Sequence, residues 1–282
     1  MRVNEEHVTH PDASFRYLAL QLRAFDGERH RHDQAELTWV VRGHGVRFVG
    51  DSAEPFSDGD LVLLGPQVPH LWAGQAASGE PPFQAHVLQF PVGLLGGSSG
   101  PGWPELRPAQ AVLDRARRGL RVQGQAHAPV VAALAAMQAA DPLQRLALLI
   151  QVLRALVLHS RSLKPLSTAV TREASDDTGR RRIDRVIDWV HQHQAQELYM
   201  ADAARIAHVS PAAFSRFFHR ETGKTWTAYL NDVRCSEAGV RLRQTARPVA
   251  EIAQDCGFHT LSHFNREFAA RFQQTPSRYR RG

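Results

Sequence analysis

Three histidines and one glutamate in the first third of the chain have the residue types of a metal or ligand site. His30, His32 and Glu36 lie close together, and His70 follows a predicted strand. Imidazole and carboxylate ligands suit zinc, nickel, iron or manganese. The same groups could instead line a small-molecule pocket without metal, or be ordinary hydrogen-bonded histidines. The spacing alone leaves these three interpretations open.

A second set of candidate residues belongs to a segment that occurs twice. Residues 214–229, FSRFFHRETGKTWTAY, and residues 264–279, FNREFAARFQQTPSRY, share five identical positions at an offset of 50. In both copies a phenylalanine stripe accompanies an outward-facing arginine, Arg216 or Arg266. An arginine presented by a helix can form paired hydrogen bonds with a guanine edge. The repeat therefore indicates two DNA-reading units, and a helical bundle with two similar hairpins is the alternative.

Each arginine is positioned by a predicted pair of helices joined by a short turn. In the first copy Ser210 and Pro211 begin the second helix, because serine caps free N–H groups and proline suits the first turn. In the second copy Gly257 ends the first helix and Thr260 caps the second. A predicted helix of about 20 residues between the copies would span about 30 Å, close to one turn of B-DNA. Two units on this spacer could reach successive major-groove segments.

The candidate ligands are positioned by short predicted strands. The alternating segment AELTWVVRGHGVRFVG, centred on the turn RGHG, predicts a hairpin. PFSDGDLVLLGPQVPHLW and FQAHVLQFP predict further strands, and the frequent Gly and Pro favour a barrel or sandwich. Trp39 and Trp72 are near the ligands in sequence, so they are candidates for stacking on an effector or for the core.

Charge divides the chain into two halves. Residues 180–282 carry a formal net charge of +7 and residues 1–179 carry −1, which favours contact of the second half with a polyanion. The two cysteines, Cys235 and Cys256, form no disulfide framework, and no apolar run is long enough for a membrane span. These features predict a cytoplasmic protein without a membrane partner. Residues 161–179 lose apolar periodicity and are predicted to be a linker.

A long apolar helix is predicted before this linker. Other faces of the helix are apolar too, so it must be buried on several sides. The spacing leaves open whether it joins two subunits or is an ordinary core helix. The seam at three- and four-residue spacing comprises Leu143, Leu146, Ile150, Leu153 and Val157.

The segment PVAEIAQDCGFHTLSHFNREFAARFQQTPSRYR, residues 248–280, resembles the signature of the AraC/XylS family of bacterial transcriptional regulators. The resemblance covers residues 181–281, and the 50-residue repeat matches the paired helix-turn-helix units of that family. It implies double-stranded promoter DNA and RNA polymerase as partners, and it favours a dimerisation helix. The residues expected at DNA are Ala212, Ser215, Arg216 and Arg220 in the first unit, and Leu261, Ser262, His263, Asn265 and Arg266 in the second.

The first half resembles a cupin-like sensor domain of such regulators. HRHDQAELTWVVRG fits the first cupin motif, and GDLVLLGPQVPH resembles the second. The resemblance implies an effector pocket without a cofactor, and it does not favour a metal at the three histidines and the glutamate. A cupin metalloenzyme or metal sensor with an attached DNA-binding domain is the alternative. The expected effector-binding residues are His30, His32, Glu36, Trp39, His70 and Trp72.

Together these features predict an α+β multidomain protein. Residues 1–95 form a cupin-like sensing barrel, 96–160 a helical dimerisation region, 161–179 a linker, and 180–282 an all-α, bilobed double helix-turn-helix domain. The predicted function is a sequence-specific, DNA-binding transcription regulator rather than an enzyme. We expect it to act as a homodimer and to respond to a small molecule such as a sugar or related metabolite.

Overall fold

Two β-sheets form the first half of the molecule. The computed structural model describes residues 4–5, 14–25, 29–76, 78–95, 104–168 and 177–281. One sheet has the strand order β1-β4-β9-β6-β7, with β3 paired to β9, and the other has the order β12-β11-β8-β5-β10-β2. The strands are β1 (Asn4–Glu5), β2 (Arg16–Leu22), β3 (Ala24–Phe25), β4 (His30–Arg31), β5 (Gln34–Arg42), β6 (Gly45–Val49), β7 (Ser52–Phe56), β8 (Leu61–Leu64), β9 (His70–Gln75), β10 (Phe83–Pro91), β11 (Leu120–Val122) and β12 (Leu163–Pro165).

The second sheet is covered on both faces, which explains why its central strands are so apolar. Successive side chains of a strand point to opposite faces. On β5, Glu36, Thr38 and Val40 face the first sheet, whereas Leu37 and Trp39 pack with the helices that cover the other face. The strand alternation therefore decides which residues of β5 can reach the space between the sheets.

Three helices cover the outer face of this sheet: α1 (Arg107–Ala116), α2 (His127–Ala136) and α3 (Pro142–Leu158). The predicted seam of α3 is divided between core and surface. Leu153 is 4% exposed within the core and Leu146 is half-buried against it. Leu143 and Ile150 are 77% and 38% exposed. The predicted seam is too short to determine the rotation of the helix about its axis. The burial of Leu148 and Leu149 against the sheet sets this rotation instead.

The second half is entirely helical within its described residues. Ser210 and Thr260 cap the second helix of each pair, accepting hydrogen bonds from Ala213 N at 3.3 Å and His263 N at 3.2 Å. Gly257 has a φ of 85°, as a helix-ending glycine requires. The helices are α4 (Asp177–His193), α5 (Met200–Ile206), α6 (Pro211–Thr222), α7 (Trp226–Gln244), α8 (Val249–Asp255), α9 (Leu261–Phe272) and α10 (Pro276–Arg281).

The first part of the predicted linker is part of the sheet. β12 pairs antiparallel with β11, and Leu163 is buried in the core. Ser167 and Thr168 then hydrogen-bond to Asp51 of the β6–β7 turn. A three-residue strand is too short to show periodicity, which is why the sequence did not predict it. Residues 169–176 lie outside the described residues, and α4 begins at Asp177, before the predicted boundary at 180.

Candidate DNA-reading surface and histidine cluster

The second helix of the first pair, α6, separates a buried aromatic face from an exposed polar one. Phe214, Phe217 and Phe218 are buried, and Phe214 and Phe218 lie edge-on to Trp226 of α7. This packing fixes the rotation of α6. The predicted DNA-contacting residues on the exposed face are Ala212, Ser215, Arg216 and Arg220.

The second helix of the second pair, α9, repeats this arrangement. Phe264 and Phe268 are fully buried. Leu261, one of the predicted DNA-contacting residues, is 44% exposed, and Phe258 packs against Phe264 with ring centroids 5.1 Å apart. His263 is only partly exposed. The remaining predicted DNA-contacting residues of this helix, Ser262, Asn265 and Arg266, are exposed.

Two of the arginines on these surfaces form ion pairs with a neighbouring glutamate while their own side chains stay exposed. Arg220 lies 2.7 Å from Glu221, and Arg266 lies 3.1 Å from Glu267. Exposed pairs of this kind contribute about 0–1 kcal/mol. The guanidinium groups can therefore exchange these partners for a base edge or a phosphate.

The four candidate ligands of the first half converge between the two sheets, and we call them the histidine cluster. His30 of β4 lies directly opposite His70 of β9, with ring centroids 4.2 Å apart. Glu36 of β5 reaches across from the other sheet, 3.0 Å from His32 Nε2 and 3.6 Å from His70 Nε2. One ligand atom from each residue lies within 4.8 Å of the others. His32, Glu36 and His70 are buried, and His30 is half-buried.

A set of hydrogen bonds orients this cluster. Thr38 Oγ1 donates to Glu36 Oε1 at 2.6 Å, and Gln89 Nε2 donates to Oε2 at 2.9 Å. Burial alone would raise the pKa of Glu36, but the imidazole rings of His70 and His32 beside it hold this pKa well below its usual range. Gln89 was missed in the sequence analysis. The signal that identifies Gln89 is the strand register, which pairs it with Glu36 across β10 and β5.

The two predicted stacking residues are separated by the fold. Trp72 is buried with its ring centroid 5.9 Å from that of His70. Trp39 lies on the opposite face of β5 from Glu36, and its ring centroid is 5.0 Å from that of His86. Its position in the strand alternation therefore excludes Trp39 from the cluster.

Buried ion pairs join the two halves beside the cluster. Arg29 Nη1 lies 2.7 Å from Asp184 and 3.8 Å from Asp188 of α4, and Arg31 Nη1 lies 3.7 Å from Asp184. These side chains are at most 5% exposed. Burial would lower the pKa of Arg29, but the two aspartates reverse this effect and raise it. We call these four residues the interdomain ion pairs.

The β6–β7 hairpin contacts the ends of both α6 and α9. Lys224, just after α6, donates to the carbonyl oxygen of Asp51 at 3.2 Å. Arg271, in the last turn of α9, donates to the carbonyl oxygen of Ala53, which also accepts from Ser236 of α7. One hairpin of the first half therefore touches both helix pairs near the C-terminal ends of α6 and α9.

Two family models match the chain. The helix-turn-helix domain matches residues 203–282, and the AraC-like ligand binding domain matches residues 5–153, which is more than half of the chain. The chain belongs to the AraC family. This AraC-family assignment confirms the predicted family and the predicted order of a sheet-rich ligand-binding domain and a helical helix-turn-helix domain.

Relatives of this AraC-family chain are transcription regulators that match it in part. The transcriptional activator RhaR of Mannheimia succiniciproducens is 31% identical over 99 residues, which cover 35% of this chain and 36% of that protein. The regulatory protein SoxS of Salmonella typhimurium is 35% identical over 98 residues, covering 35% and 92%. The match thus spans about a third of the first relative's length.

Solved structures of similar proteins include ToxT of Vibrio cholerae with an unsaturated fatty acid bound. It is 14% identical, has a TM-score of 0.37, and the similarity covers 97% of each chain. An AraC-type regulator of Chromobacterium violaceum is 23% identical with a TM-score of 0.35, covering 37% of this AraC-family chain and 94% of that one. In the described ranges, every helix is too short or too polar to cross a bilayer.

Proposed function

We propose that this AraC-family protein is a sequence-specific, DNA-binding transcription regulator that acts on bacterial DNA in the cytoplasm as a homodimer. The observation that carries the proposal is the pair of matched helices, α6 and α9. Each presents a polar face that includes an arginine, Arg216 or Arg266, on a fully packed aromatic core. A helix with these properties suits the major groove, where arginine can bind guanine through two hydrogen bonds.

The helix between the two pairs supports reading of one continuous site. α7 has 19 residues, so it is about 28 Å long. Successive major-groove segments on one side of B-DNA are about 34 Å apart. The net charge of +7 on residues 180–282 supplies the sequence-independent attraction to phosphates. We infer that α6 and α9 enter neighbouring major-groove segments of the same duplex.

Exposed apolar residues on one face of α3, interrupted by Arg154 between Ile150 and Leu158, support the homodimer. Leu143, Ile150 and Leu158 are 77%, 38% and 60% exposed, and Ala147 lies between them on the helix. Large apolar side chains that share one helix face are typical of a protein interface. Because Leu153 belongs to the core, the surface we propose for dimerisation consists of Leu143, Ala147, Ile150 and Leu158.

Contacts between the two halves support control of DNA binding by an effector. The interdomain ion pairs tie α4 to β4, and the β6–β7 hairpin touches the ends of α6 and α9. A small molecule that binds the first half more tightly in one arrangement than in another would shift the positions of the helices. We propose that the sheet-rich domain binds such an effector and that these contacts transmit the effect.

Replacing Arg216 or Arg266 with alanine should each weaken binding to a specific DNA site by about 1–3 kcal/mol, since each removes a paired contact with a base. Binding to random DNA should change much less, so the ratio of specific to non-specific affinity should fall. Fluorescence anisotropy at one fixed salt concentration measures both affinities.

Arg205→Ala is the matched control. Arg205 is exposed on α5, the first helix of the first pair, and lies 2.6 Å from Asp202. Its replacement removes the same charge from the same domain without touching α6 or α9. It should leave the affinity ratio at the wild-type value. Wild-type ratios for both Arg216→Ala and Arg266→Ala would show that these faces do not read bases.

A further inference from the structure

The hydrogen bonds of His32 and His70 direct the same nitrogen of each ring towards Glu36. Nδ1 of His32 lies 3.1 Å from the carbonyl oxygen of Gln34, and Nδ1 of His70 lies 2.8 Å from that of Val68. A carbonyl oxygen only accepts hydrogen bonds, so each Nδ1 carries the proton. In a neutral ring Nε2 then has a lone pair, and both Nε2 atoms face the carboxylate of Glu36. Within the described residues, His70 Nε2 makes no hydrogen bond.

Gln89 Nε2 lies 2.9 Å from Glu36 Oε2 and 3.5 Å from His32 Nε2, and a cation between the two ring nitrogens and the carboxylate would stabilise their arrangement further. If protons on the rings of His32 and His70 provided this positive charge, two imidazolium rings would face the single carboxylate of Glu36. The ring of His30 is also only 4.2 Å from that of His70. An excess positive charge at side chains that are 1–4% exposed is costly. One metal ion would accept the lone pairs of all the rings and bind the carboxylate at the same time.

We propose that His30, His32, Glu36 and His70 bind one divalent transition-metal ion, and that the ion fixes the strand that contacts the DNA-binding domain. Three imidazole nitrogens and one carboxylate oxygen suit zinc, nickel, cobalt, iron or manganese. Ligands about 2.1 Å from one ion lie at most about 4.2 Å apart. The ligand atoms already lie within 4.8 Å of one another, so small side-chain movements complete the site.

The hydrogen bonds around the cluster are of the kind that orients metal ligands in other proteins. Ligating histidines commonly donate their other N–H to a carbonyl, and ligating carboxylates are themselves hydrogen-bonded. Here the carbonyls of Gln34 and Val68 hold two of the rings. Thr38 and Gln89 hold Glu36 from β5 and β10. The ligand set therefore needs no rearrangement of the backbone.

The same short segment carries both the metal ligands and the interdomain ion pairs. Along residues 29–32, His30 and His32 join the cluster, while Arg29 and Arg31 pair with Asp184 of α4. This division follows the alternation of side chains along a strand. An ion bound to His30 and His32 therefore restrains the backbone that presents both arginines, and it should stabilise their contact with α4.

Metal titration of the untagged full-length protein tests the site directly. After removal of bound metal with a chelator, we expect one equivalent of Co²⁺ to bind and produce visible d–d absorption bands, which one equivalent of Zn²⁺ abolishes. Glu36→Gln and His70→Asn should each weaken Co²⁺ binding at least 100-fold. His44→Asn, a histidine of the same domain outside the cluster, should bind as the wild type does.

A milder variant distinguishes loss of a metal ligand from misfolding of the protein. Thr38→Val keeps all four ligands and removes one hydrogen bond to Glu36, so it should weaken binding about 10–100-fold. Circular dichroism shows which variants are folded. If the wild type binds no Co²⁺ at micromolar concentrations, or if folded Glu36→Gln and Thr38→Val variants bind like the wild type, the metal site is excluded.

Hydrogen exchange tests the effect of the ion on the strand. Zn²⁺ should slow amide exchange in peptides that contain β4 and in peptides that contain α4, at least threefold in each. Slower exchange in β4 alone would show that the ion does not stabilise the contact with α4, although it would still support the metal site. These measurements use no DNA, so their outcome is independent of whether the proposed regulatory function holds.

Discussion

Replacing Arg29 with alanine should lower the free energy of unfolding by about 3–5 kcal/mol, since removal of one member of a buried ion pair leaves an uncompensated charge. Its guanidinium lies 2.7 Å from Asp184 and 3.8 Å from Asp188, and all three side chains are at most 5% exposed. The variant removes the guanidinium that both carboxylates share and leaves Asp184 with the more distant Arg31, at 3.7 Å. Urea unfolding followed by circular dichroism measures the change.

Two further variants separate this effect from simple loss of charge. Arg107→Ala removes an exposed arginine at the start of α1 and should change stability by no more than about 0.5 kcal/mol. Adding Asp184→Asn to Arg29→Ala should recover part of the loss, because it removes one of the two buried carboxylates that lost Arg29. A loss below about 1 kcal/mol for Arg29→Ala would mean that the interdomain ion pairs do not hold the two halves together.

Replacing Ile150 with aspartate should convert the proposed dimer to a folded monomer. A charge in the centre of a dry interface costs several kcal/mol, whereas in a single subunit Ile150 is 38% exposed and its replacement leaves the core intact. Affinity for an operator with two half-sites should fall about 10²–10⁴-fold, because the second binding event is no longer intramolecular. Binding to one half-site should persist. Analytical ultracentrifugation and circular dichroism test the assembly and the fold.

Gln138→Glu is the control for this charge. Gln138 is exposed after α2, and glutamate has nearly its shape. This variant should remain dimeric. A dimeric Ile150→Asp protein would place the interface elsewhere, and loss of ordered helix in that variant would assign Ile150 to the core.

The sequence predicted the helix-turn-helix half in detail because its signals are local. Ser210 and Thr260 define where α6 and α9 begin, and the spacing of the phenylalanines sets their rotation. Arg216 and Arg266 therefore fall on exposed faces as predicted.

The errors concern contacts between distant segments. No local pattern indicates that Arg29 pairs with Asp184, or that Gln89 lies beside Glu36. Trp39 was placed with the cluster because it is close to Glu36 in sequence. The alternation of side chains along β5 directs Glu36 into the space between the sheets and Trp39 towards the helices on the other face. The spacing left open whether Leu153 lies at a subunit interface or in the core, because the rotation of α3 depends on the sheet beneath it.

Selection of binding sites from a random DNA library with the full-length protein tests the central proposal most directly. We expect enrichment of a site with two conserved elements whose centres lie about 10–11 base pairs apart, as α6 and α9 would reach through neighbouring major-groove segments. Selection with Arg216→Ala and with Arg266→Ala should each lose conservation in a different one of these elements. No enrichment over the starting library, or a site whose two elements respond alike to both substitutions, would contradict the account.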